Sequence, residues 1–242
     1  MTRRAAARLA GVVACLLPAS AFAQDVSISL GQGGLSERAL QLVALLTVLS
    51  LAPSLLIMVT SFTRIAVALS LLRSAIGTQN APPNFVLTSL ALFLTAFVMA
   101  STFEEAYNAG VKPLVAGQIK EVEAFERASQ PFRAFMLKHA REKDLELFVN
   151  LSNKPRPKSP DAVPLTTLIP AFMISELRRA FEIGFLLFLP FLIIDLIVAS
   201  ILLSMGMMML PPVMVALPFK LIFFVSVDGW RLVTGSLVQS YG

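Results

Sequence analysis

Charge is nearly absent from most of this chain, and the uncharged stretches are long enough to decide its solvent. After Arg38 the next charge is Arg64, followed by Arg73. Phe85 to Phe103 carries none before Glu104 and Glu105 close the run. Ile183 to Leu203 contains only Asp195, and Val213 to Val227 only Lys220. Hydrophobic residues make up 56% of the chain and charged residues 14%, where a soluble domain carries roughly a quarter charged. Mean hydropathy is +0.76. Within 242 residues there is room for about four helical spans of ~20 residues and one modest polar insert. The expected fold class is all-α, made of membrane-inserted helical hairpins with a small helical insert.

The first residues have the three parts of a cleaved secretory signal. Arg3, Arg4 and Arg8 form a basic start, and Leu9 to Leu17 an apolar run too short to span. Ala21 and Ala23 flank Phe22 in a small-residue cleavage site, with the cut expected before Gln24. Cys15 is the single cysteine and falls inside this segment, so disulfides and thiolate metal sites are not expected. The net charge of +5 includes the three signal arginines. The remainder is too small to argue for nucleic acid.

The organisation expected is a signal over residues 1–23, a short segment over 24–39, and a first helix pair over 40–107. An insert follows over 108–164 and a second helix pair over 165–242. The block Leu40 to Leu72 would be roughly 50 Å long as one helix, so it either protrudes from a ~30 Å hydrocarbon core or breaks near Pro53. In the insert, Ser129 with Pro131 marks a helix start. Phe132, Phe135, Met136 and His139 then share one helical face. Leu145, Leu147, Phe148 and Leu151 suggest a second short amphipathic element, and Asn153 to Pro164 a linker. Leu165 to Ser175 is too short to span and ends in a charged run. Ile183 to Leu203 is then a third span, Met205 to Pro212 a turn, and Val213 to Val227 a fourth. A cleaved signal leaves the mature start outside, which puts the insert and the C-terminal end in the periplasm. Long loops translocate regardless of their Lys and Arg content.

No catalytic constellation emerges, and no enzyme activity or cofactor is expected. The only histidine, His139, has no cysteine or carboxylate cluster at ligand spacing and reads as structural. Charges inside apolar sequence cost about 2.5–3.5 kcal/mol or more. Arg64, Glu182, Asp195 and Lys220 are therefore expected to face protein or water. A hairpin turning near Met207 and Met208 brings Asp195 and Lys220 to the same depth, as an ion pair within a protomer or between neighbours. Met205, Met207, Met208 and Met209, beside Gly206, Pro211 and Pro212, form the other notable element. Flexible thioether chains suit a deformable seal, and the prolines demand that this segment be buried or line a cavity. A bland turn remains the alternative on sequence alone.

The run PAFMISELRRAFEIG from Pro170 to Gly184 resembles a FliP-family signature. So do Pro190 to Leu196 (PFLIIDL), followed by Ser204 to Met207. Ser61 to Ile65, Gln130 to Phe132 and Pro218 to Leu221 also resemble family sequence, and the likeness covers nearly all of the mature chain. The resemblance implies a subunit of the flagellar type III export gate. It implies a homopentamer with FliQ and FliR, alongside FlhA and FlhB, with FliO as assembly factor. It also implies helices lifted partly out of the membrane plane, and a gasket at Met207, Met208 and Met209 around unfolded flagellar substrates. An injectisome subunit, an ion-coupled transporter using Asp195 and Lys220, or an assembly platform in the insert are the competing readings.

Overall fold

The computed structural model describes residues 35–152, 159, 162–207 and 209–242. Every regular element among them is helical. Helix α1 spans Leu35–Met58 with Pro53 inside it. Its break does not fall at Pro53. The helix runs through the proline and stops at Val59 to Ser61, where the joint precedes α2, Phe62–Ile76. A proline removes one backbone donor, and that loss is tolerated here. Leu40, Val43, Leu46 and Leu49 on α1 are all exposed.

Helix α2 is the centre of the larger unit, residues 51–242. Ile65, Ala68, Leu69, Leu72 and Ile76 recur at helical spacing and are all but fully buried. They meet Leu87 and Ala91 of α3 (Asn84–Val98) and Phe191 of α8 (Leu165–Ser204). Phe224 of α9 (Pro212–Ser226) and Val233 and Leu237 of α10 (Gly229–Gln239) complete this cluster. Arg64 meets Glu176, Leu71 approaches Gly184, and the Ala75 carbonyl lies near the Lys220–Asp195 pair. The matches rise together along both helices, so α2 and α8 run parallel. The chain between them must return to the start of α8, which is where the insert lies. A Cβ on Gly184 would sit 2.3 Å from Leu71 Cδ1, so that glycine sets how closely α8 approaches α2.

Helix α8 corrects the sequence expectation most clearly. The short piece and the third span are one helix of 40 residues, about 60 Å long at 1.5 Å per residue. Leu168, Phe172, Glu176 and Ala180 stand at i, i+4 spacing and are fully buried. That face packs on α2 and the insert, and the helix continues through both Pro170 and Pro190. The charged run therefore divides: Glu176 turns inward, while Arg178 and Glu182 pair on the surface one turn apart.

The expected clean span at Phe85 to Phe103 is also different. Helix α3 ends at Val98, and α4 (Ala100–Ala106) follows beyond a bend at Met99. Glu104 and Glu105 close nothing. The helix continues through a π-helical turn, Tyr107–Val111, into α5, Lys112–Val115, and the two segments are inclined by 62°. Helix α6 runs Glu121–His139 with Pro131 in its interior, two turns earlier than the start inferred from Ser129. Glu121 and Glu123 in its first turn suit the positive end of the helix dipole. Helix α7, Glu142–Leu151, is the second amphipathic element. A second small core of Met136, Val163, Leu168 and Phe172 fastens α6 to the start of α8.

Among the described residues α8 alone is long and apolar enough to cross a membrane, and the number rises to as many as four if each bent pair counts as one span. Of the most apolar window of α8 only 17% is buried. Phe185, Leu186, Ile193, Leu196 and Ile201 face outward.

Candidate functional site

Three groups of side chains are the candidates for function in the helical unit. The first lies where α2, α6, α8 and the segment after α10 converge. Arg64 is fully buried one turn into α2, on the same helical stripe as Ala68 and Leu72. Its Nε donates to Glu176 Oε2 at 3.0 Å, and Nη2 donates to Glu176 Oε1. This is the two-pronged arrangement that a planar guanidinium favours. Nη1 donates to both the backbone carbonyl and the hydroxyl of Ser240, each at 3.0 Å. The Tyr241 hydroxyl donates to Glu176 Oε2, and the Arg64 guanidinium lies 3.7 Å from the Tyr241 ring centroid. Phe135 stacks on Tyr241 at 6.0 Å, and His139 meets it edge to face at 5.2 Å.

Every nitrogen of Arg64 is thus committed to Glu176 or Ser240. The arrangement can hold four segments in register, and it offers no free group to a substrate. His139 is only 5% exposed. Burial first, then the cations Arg64, Lys138 and Arg179, push its pKa down to about 4. The imidazole is therefore neutral at pH 7.

The second group joins α2, α8 and α9. Lys220 Nζ donates to Asp195 Oδ2 at 2.7 Å and to the Ala75 carbonyl at 3.2 Å. Ala75 is in the last turn of α2, so this ammonium also satisfies a carbonyl at the negative end of that helix. Asp195 Oδ1 is buried and has no partner among the described residues. The pair forms within one chain.

The third group is the methionine turn. Gly206 takes φ +74°, a conformation that L side chains rarely adopt. The Gly206 N–H donates to the Leu203 carbonyl and the Met207 N–H to the Leu202 carbonyl, at 3.1 and 3.0 Å. These two bonds are the Schellman ending of a helix. Met205, Met207 and Met209 are exposed, Met209 almost completely. Met208 lies outside the described residues, as do Ala21 and Ala23.

Glu182, placed by sequence among the buried charges, lies on the surface of the single chain beside Arg178. The buried carboxylate of this helix is Glu176, which sequence reasoning passed over. So was Tyr241, near the opposite end of the chain. The α8 stripe of Leu168, Phe172, Glu176 and Ala180 was a readable signal, because its regular spacing puts one carboxylate on an otherwise apolar face. Nothing in the sequence marks Tyr241.

Most residues of the three groups fall in a stretch that known proteins share. The model of the FliP family matches residues 45–237. The chain belongs to the FliP family. A Flagellar biosynthetic protein FliP of Caulobacter vibrioides is 63% identical over 235 residues, covering 96% of this chain and 88% of that protein. One of Bacillus subtilis is 55% identical over 201 residues, covering 83% and 91% respectively. One of Aquifex aeolicus is 50% identical over 218 residues, covering 89% and 91%. The FliP-family match begins within α1 and ends within α10, so Ser240 and Tyr241 lie just beyond it.

Proposed function

We propose that this chain is a gate-forming subunit of the flagellar type III protein export apparatus, conducting unfolded flagellar proteins across the inner membrane. The family match carries the reading: relatives at 46–63% identity all bear a flagellar biosynthetic name. It favours the flagellar branch over an injectisome subunit or a solute transporter. The role is structural rather than enzymatic.

Beyond that, we infer a homopentamer working with FliQ and FliR, near FlhA and FlhB, with FliO assisting assembly and membrane lipid around its outer faces. The extensive exposed apolar surface of α3, α8 and α9 supports this, because such faces need protein or lipid cover. The insert and the C-terminal end belong on the periplasmic side in this reading. The methionines of the 205–209 turn close the conduit between substrates. The exposure of Met205, Met207 and Met209 and the Schellman ending suit side chains that meet neighbours across an axis.

The test replaces Met207, Met208 and Met209 with Ala in cells that depend on this chain for motility. Ion leak across the inner membrane and flagellin export are then measured. Leak with export retained is expected. Tight membranes with normal export would sink the gasket, and normal motility without the chain at all would sink the export role.

A further inference from the structure

We propose that His139 is an acid-operated release for the segment Ser240–Tyr241, loosening its hold on Arg64 and Glu176 when the imidazole takes a proton. His139 stands at the end of α6, packed at 4.6 Å on Phe135 and at 5.2 Å on Tyr241. The same tyrosine ring carries the Arg64 guanidinium at 3.7 Å. A proton on His139 thus places a second cation within a cluster already organised around one.

The surrounding groups offer that cation no counter-charge. Arg64 approaches from α2, Arg179 from α8, and Lys138 precedes it on α6. Glu176 of α8 is fully engaged by Arg64 and Tyr241. At the start of α7, Asp144 accepts from the Ser175 hydroxyl at 2.7 Å and lies 3.9 Å from Arg141. No carboxylate among the described residues is hydrogen-bonded to His139. Stability therefore depends on the ring staying neutral, which agrees with the lowered pKa of about 4.

Once the segment opens and the ring reaches water, its affinity for a proton returns to the ordinary value near 6.5. Protonation then favours the open form. The sign is fixed: the folded pKa lies below the unfolded one, so the closed state is strongest above about 6.5 and weakens as pH falls toward about 4. The open-to-closed ratio grows tenfold per pH unit in that window, on the order of a hundredfold across it.

The chain has one histidine and two tyrosines, which makes both partners observable in the whole protein. Tag-free protein in nanodiscs is labelled with 15N-histidine and 3-fluorotyrosine, and the Tyr241 fluorine signal is assigned with Tyr107→Phe. Between pH 7 and 4.5 the Tyr241 signal should move toward its exposed position while helicity is unchanged. His139→Gln should flatten that response. A histidine titrating near 6.5 in the native protein would overturn the proposal, as would an unchanged Tyr241 response in His139→Gln. If His139→Gln does not fold, the two titrations of the parent protein decide together: a Tyr241 shift that follows the histidine's own protonation supports the release, and protonation that leaves the Tyr241 signal in place refutes it.

Discussion

Glu176→Ala removes the acceptor of three donors together: Arg64 Nε, Arg64 Nη2 and the Tyr241 hydroxyl. The loss does not resemble that of a surface ion pair, because both side chains are at most 1% exposed. A guanidinium left buried without its carboxylate costs about 3–5 kcal/mol. The tyrosine hydroxyl is less stranded, since the Ser61 carbonyl lies 3.2 Å away. A drop of about 4 kcal/mol is therefore expected, a large share of the 5–15 kcal/mol typical of a folded domain. The assay is an SDS titration in mixed micelles, followed by fluorescence of the single tryptophan, Trp230, which packs on Phe224 at 5.3 Å. Arg64→Met combined with Glu176→Leu should recover at least half the loss, because two apolar side chains replace a charge pair without stranding either member. A Glu176→Ala protein within about 1 kcal/mol of the parent would refute the argument. So would a double variant whose deficit equals the sum of the two single ones.

Lys220→Met leaves Asp195 without its one partner among the described residues and takes a donor from the Ala75 carbonyl. It should cost about 3 kcal/mol, and adding Asp195→Leu should return most of that. Simple additivity in the same titration would show that the two do not act as a pair. Gly110→Ala in the π-helical turn places a Cβ 2.5 Å from the Ala124 carbonyl and 2.6 Å from Ala128 Cβ. Backbone cannot swing aside, so about 1–3 kcal/mol of overpacking is expected. Gly117→Ala, at φ +69° with open space around it, should cost only the left-handed strain, about 1–2 kcal/mol. A loss at Gly110 well below about 1 kcal/mol would count against a close approach there.

Sequence pattern was a good guide to what needed burying and a poor one to where helices stop. The charge-free blocks, the amphipathic face of Phe132, Phe135, Met136 and His139, and the depth match of Asp195 with Lys220 all rest on period and length, which are local quantities. The stops depend on packing. Pro53 offered a break and Pro131 a helix start, yet both lie inside helices, as do Pro170 and Pro190. The actual interruptions at Met99 and Asp228 carry no proline. Asp228 takes φ +52° between α9 and α10, where the two axes differ by 64°. The Arg64 cluster was half legible. Its cation stood out in apolar sequence, but Glu176 was hidden in a run of charges, and Ser240 and Tyr241 are 176 and more positions away from Arg64. Contacts of that separation leave no trace in a periodic pattern.

The two parallel helices α2 and α8 are pinned at both ends of their contact, by Arg64–Glu176 at one and by Lys220 bridging Ala75 and Asp195 at the other. That makes them a bracket of fixed length. Sliding one past the other by a single turn, ~5.4 Å, would part both fastenings and drive Leu71 across Gly184. Shear is therefore the motion this pair is least free to make. Val198 and Leu202 still pack on Ala216 of α9 beyond Asp195, so movement is left to the methionine turn after them, like the free end of a beam clamped along the rest of its length.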